Sequence, residues 1–135
     1  MNHSIVQLND LPDEILMMIL KKLWNIRVLY SLIGINKKLD RIACDPAFTR
    51  YLSLVNRSSN NSVAPLTNEV LNRFCSQILP KIHHHIRRLD LESSTMERIL
   101  STTNYPNLHQ LGLFNLRAKT AASLFTSKTL IAVKY

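Results

Sequence analysis

Leu11-Pro12-Asp13-Glu14-Ile15-Leu16 opens a run to Trp24 whose reading decides the fold of the N-terminal third of this chain. Laid on a helix at about 100° per residue, the nine apolar residues from Leu11 to Trp24 sweep roughly 260° of arc, leaving only Glu14 and Lys21 on a narrow polar strip. A helix on the surface of a small domain normally carries an apolar stripe little wider than about 100°. Four such side chains left in water would forgo about 1.5–3 kcal/mol each, a loss comparable with the roughly 5–15 kcal/mol that stabilises a whole domain. The run therefore reads as a helix over residues 12–23 that is half core and half docking surface. Asp10 precedes it as a cap, Pro12 suits its first turn, and Asp13 and Glu14 place negative charge at its positive end.

Working outward, Ile26, Leu29, Tyr30, Leu32 and Ile33 fit one helical face over residues 26–33, which Gly34 ends. Ile35, Leu39, Ile42 and Ala43 stripe a third helix over residues 36–43, which stops before Asp45-Pro46. Residues 47–54 read as a short helical tail. Residues 55–65 are polar and aperiodic, and read as a linker and module boundary. Thr67 can cap a helix from residue 68 to 79, striped by Val70, Leu71, Phe74, Ile78 and Leu79 and closed by Pro80.

From residue 86 the chain repeats. Ile86, Leu89 and Leu91 return twenty-two residues later as Leu108, Leu111 and Leu113, and twenty-two after that as Leu130, Val133 and Tyr135. The spacing L-x-x-L-x-L resembles the strand half of a leucine-rich repeat. Met96, Ile99 and Leu100 then align with Ala118, Ala121 and Ala122 on the outer side. The Asn or Cys expected three positions after the last Leu is Ser94 in one copy and Leu116 in the next, so the polar ladder departs from the pattern. Residues between the leucines face outward in such a sheet, which makes Arg88, Asp90, Glu92, Gln110 and Phe114 candidates for substrate binding. No polar cap follows the third strand, so the sequence reads as a truncated solenoid.

Leu8, Leu11-Pro12, Glu14-Ile15-Leu16, Ile19, Leu23, Val28-Leu29, Leu32, Lys37-Lys38 and Ile42-Ala43 together resemble an F-box over residues 8–54. Many F-boxes carry an aromatic residue just after the basic pair, where this chain has Leu39; Phe48 is the candidate replacement anchor. The resemblance implies a three-helix bundle that docks on the Skp-type adaptor of a cullin-RING ubiquitin ligase. It makes Leu8, Leu11, Pro12, Ile15, Leu16, Ile19, Leu23, Leu29, Leu32, Ile35 and Phe48 candidates for the adaptor interface and the core beneath it. The expected fold is α+β: an F-box over 8–54, a linker at 55–65, a helix capping the repeats at 66–80 and degenerate leucine-rich repeats of period 22 over 86–135.

Composition limits the other classes of function. The 135 residues are 46% hydrophobic, with two glycines and no G-x-G-x-x-G or Walker-type run, which speaks against nucleotide chemistry. The longest uninterrupted apolar run, residues 15–20, is too short to span a membrane, and no secretory signal opens the chain. A cytoplasmic or nuclear protein is expected, with Cys44 and Cys75 as buried thiols. The net charge of +8 divides into +3 for residues 1–60, from eight cations and five carboxylates, and +5 for 61–135, from nine and four. That spread lacks the basic block of a nucleic-acid binder. His83-His84-His85 has no Cys, Asp or Glu within four residues to complete a metal site, and Asp90 and Glu92 lack a framing nucleophile or base. The sequence therefore reads as a non-enzymatic receptor without cofactor or metal, holding a ligase adaptor at one end and an unknown protein substrate at the other. An F-box scaffold outside ubiquitination and, more remotely, a basic nucleic-acid-binding helical protein are the alternatives.

Overall fold

A computed structural model describes residues 7–116 and the backbone of Ile131–Lys134. A 3-10 turn at Leu8–Asp10 leads into α1, Asp13–Leu20. This helix is shorter than the apolar run predicts. Its N-cap is Pro12 rather than Asp10, and after Leu20 the chain tightens into a turn, with Leu23 N–H donating to Leu20 O at 3.0 Å. Leu23 and Trp24 therefore lie beyond the helix. Next come α2, Asn25–Leu32, α3, Lys37–Ala43, and α4, Pro46–Thr49. Gly34, at φ 92°, makes the left-handed step between α2 and α3 that a side chain would oppose. The Asn36 side chain caps α3 by accepting from Leu39 N–H, and Asp45 caps α4 by accepting from Ala47 N–H.

Residues 51–54 are not a helical tail. Tyr51–Leu54 forms strand β1, because Leu52 and Leu54 alternate with the polar-tipped Tyr51 and Ser53 at the period of a strand. Residues 55–65 hold a two-stranded hairpin, β2 at Asn56–Arg57 antiparallel to β3 at Val63–Ala64, with Asn61 at positive φ in its turn. Thr67 caps α5, Asn68–Arg73. The helical path does not close at Pro80. It loosens into a π turn at Phe74–Ile78 and continues as α6, Leu79–Ile82, with Pro80 in its first turn, where a missing N–H costs least.

Strand β4, Arg88–Glu92, is followed by α7, Ser93–Thr102, and then by β5, Gln110–Phe114, and β6, Ile131–Lys134. The sheet is wholly parallel in the order β1-β4-β5-β6. The twenty-two-residue offset pairs Leu89 with Leu111 and Leu91 with Leu113. Beyond that the register departs from the expected period. Leu111 pairs with Ile131 and Leu113 with Val133, an offset of twenty, so Val133 is not the partner of Leu111. On the other side Leu52 pairs with Leu89, thirty-seven residues away, an additional rung supplied by the segment read as helical. Ala118, Ala121, Ala122, Leu130 and Tyr135 lie outside the described residues.

One hydrophobic core runs through both halves. Leu16 and Leu20 of α1, Val28, Leu29 and Leu32 of α2 and Phe48 of α4 join Leu52, Leu54, Leu89, Leu91, Leu111 and Leu113 of the sheet, with Phe74, Ile78 and Ile82 of the long helical segment. The architecture is mixed helix and strand, in keeping with an α+β class. No helix among the described residues is long and apolar enough to cross a membrane. Cys44 and Cys75 are free thiols and only half-buried, less enclosed than expected.

Candidate functional site

The candidate adaptor residues separate into two sets. Leu16, Leu29, Leu32 and Phe48 are buried in the core, so Phe48 is not available as a surface anchor. Leu8, Pro12, Ile15, Ile19, Leu23 and Ile35 are exposed, and Leu11 is half-buried. On α1 the division follows the helical period. Leu16 and Leu20 point inward, while Met18, Ile15 and Ile19 span about 100° of the opposite side. Met18 is 65% exposed and Ile35 60%.

The turn before α1 is fastened from α3. Lys38 Nζ donates to the carbonyls of Asn9 and Leu11, both at 2.8 Å, and Asn36 Nδ2 donates to Asn9 Oδ1 at 3.2 Å. Arg41 pairs with Asp13 at 2.8 Å across the same seam. These bonds hold the turn that carries Leu8 and the start of α1 against α3. Leu8, Ile15, Met18, Ile19, Leu23 and Ile35 are thus large apolar residues left exposed on the N-terminal helical region, while Leu16 and Leu20 of α1 face the core.

The second candidate set, on the sheet, is largely occupied by the fold. Asp90 is buried: its carboxylate accepts from the Tyr51 hydroxyl at 2.5 Å and from Arg88 Nε at 3.3 Å. The Arg88 guanidinium also lies over the Tyr51 ring, 4.8 Å from its centroid. Partial burial, then the hydrogen bond and charge of Asp90, push the Tyr51 phenol above its ordinary range. Glu92 is buried and caps α7, accepting from Ser94 N–H at 3.2 Å and from the Ser93 hydroxyl at 3.1 Å.

Phe114 is buried rather than exposed. The hairpin folds across it, with the Arg57 guanidinium 5.2 Å from its ring centroid and Asn115 Nδ2 donating to Val63 O at 3.1 Å. Only Gln110 is exposed as expected, with Arg88 half-buried.

His83–His85 forms a 3-10 turn in which the rings of His84 and His85 lie 4.1 Å apart and a His83 ring nitrogen bonds Asn104 O at 2.8 Å. Desolvation, reinforced by its two histidine neighbours, lowers the His85 pKa. Among the described residues no group of three His, Cys, Asp or Glu side chains is placed to hold a metal ion.

Three residues of the exposed surface fall outside the predicted sets. Met18 and Trp24 stand in the apolar arc itself, which was the signal for them; Trp24 is 63% exposed. Arg57 had no signal, because its position depends on a hairpin within an aperiodic segment. Compared with protein-family models, with curated proteins and with solved structures, the chain matches none.

Proposed function

We propose that this chain is a non-catalytic receptor of the F-box type, with α1 to α3 as the adaptor-binding bundle and the parallel sheet with its helices as leucine-rich repeats that present a protein substrate for ubiquitination. The observation that carries the reading is the exposure of six large apolar residues within the first 35, Leu8, Ile15, Met18, Ile19, Leu23 and Ile35, three of them on the outer side of α1. Burying a face of this kind against an apolar groove is the usual way a helix docks. The receptor's contribution is then proximity, since one end holds the ligase and the other the substrate, and the local concentration of activated ubiquitin near a substrate lysine rises. Gln110 and Arg88 are the sheet residues left to meet that substrate, with Asp90 holding the Arg88 guanidinium.

Co-expression with a Skp-type adaptor tests the proposal. The wild-type chain should co-purify with it, and the complex should persist at high salt, because an apolar dock does not weaken steeply with ionic strength as phosphate binding does. Ile15→Glu with Ile19→Glu should abolish the complex, and Leu11→Ala with Pro12→Ala should weaken it. A complex that survives both double substitutions refutes the reading. Cullin recruitment and ubiquitin transfer by the intact complex then distinguish a ligase receptor from a scaffold.

A further inference from the structure

A cavity of about 460 Å³ lies between α2, the hairpin and α5. That volume falls within the roughly 300–1,000 Å³ typical of small-ligand sites. Leu23, Ile26, Tyr30, Leu66 and Val70 supply apolar walls, and Trp24 stands at the rim. A second cavity of about 240 Å³ adjoins it, sharing Leu23, Trp24 and Ser53 and adding Lys22.

The polar groups around the two cavities are one-sided. Arg27, Arg57 and Lys22 line them, and no Asp or Glu does. The ion pairs among the described residues are Arg41 with Asp13, Lys81 with Asp40 and Arg88 with Asp90, so none of these three cations has a carboxylate partner. Arg57 is nevertheless held in place, its guanidinium 6.0 Å from the Trp24 ring and 5.2 Å from that of Phe114. Aromatic faces fix a guanidinium while leaving its N–H groups free to donate. Ser53 lines both cavities, and its hydroxyl lies buried in their shared wall with no hydrogen-bond partner among the described residues.

We propose that this cavity binds a small amphiphilic acid, its apolar body between α2 and α5 and its carboxylate facing Arg57. The charge complementarity selects the acid over a neutral or cationic analogue of the same body. The proposal does not rest on the adaptor reading, although Leu23 belongs to both surfaces.

Trp24 is the chain's single tryptophan and lies at the cavity rim, so its emission reports occupancy directly. The intact chain is titrated, below micelle formation, with decanoate, decanol and decylamine, which share one apolar body and differ in head group. Decanoate should give a saturable shift in Trp24 emission, decanol should bind at least tenfold more weakly, and decylamine should give no saturable response. Arg57→Gln should cost decanoate about tenfold in affinity and leave decanol unchanged; if that variant does not fold, Arg57→Met, which keeps the apolar stem, carries the same comparison. Ile15→Glu with Ile19→Glu should leave the titration unchanged. Equal binding of decanoate and decanol, no saturable response to decanoate, or loss of binding on altering Ile15 and Ile19 would each overturn the proposal.

Discussion

Gly112 is opposite Asp90 in the register of β4 and β5, and a methyl group placed on it would run into the Asp90 carboxylate. The glycine is needed for space: the carboxylate that holds Tyr51 and Arg88 occupies the volume a side chain at 112 would take. Gly112→Ala should therefore destabilise the protein by about 1–3 kcal/mol, as overpacking usually does, and lower the midpoint of urea unfolding. An unchanged midpoint would show that the Asp90 side chain can move aside freely. Phe48 makes a second prediction at this scale. Its ring is 1% exposed, so Phe48→Ala should act on stability and not by removing a surface contact, at about 3–5 kcal/mol. A variant that melts like the wild type would contradict this placement.

Among the elements, α1 carries the clearest division of labour. Residues on its inner side hold the core, whereas Ile15 and Ile19 on its outer side are 42% and 44% exposed, so Ile15→Glu with Ile19→Glu should cost about 1 kcal/mol per site, well below a core truncation. Thermal melting checks this, and it separates a lost interface from a lost fold in the adaptor experiment. His85 should contribute a pH dependence to stability. His85 has a lowered pKa in the fold, so as pH falls through about 6.5 the unfolded chain takes up the proton first. Stability that is fully present above that pH should decline as the medium is acidified. Melting temperatures measured between pH 7.5 and 5 should fall, and His85→Gln should flatten the profile; an equal slope in the variant would assign the effect to other groups.

For the whole molecule, the consequential feature is the position of β1. It follows α4 directly and pairs with β4, so Leu52 and Leu54 join the side chains of the helical bundle to those of the sheet in one core. Heat or denaturant should consequently remove helix and sheet in a single transition, with amide exchange in α2 and β4 protected to the same free energy. Two separate transitions would mean that the halves are held together only weakly.

The sequence alone was enough for those features that arise from local periodicity. The greasy arc of α1, the helices after it, the Thr67 cap and the twenty-two-residue offset between Leu89 and Leu111 depend on spacing within a single segment or on a repeat of that spacing. It also determined that α1 carries more apolar surface than one packing partner covers. Tertiary structure decided which of those residues lie inside, because Leu16 and Ile15 are chemically alike and only their neighbours distinguish them. It decided that Tyr51–Leu54 is a strand, since four residues of alternating burial mean little until β4 lies alongside. It brought Arg57 across Phe114 and beside Trp24 as well, a meeting of three segments far apart in the chain that no spacing encodes.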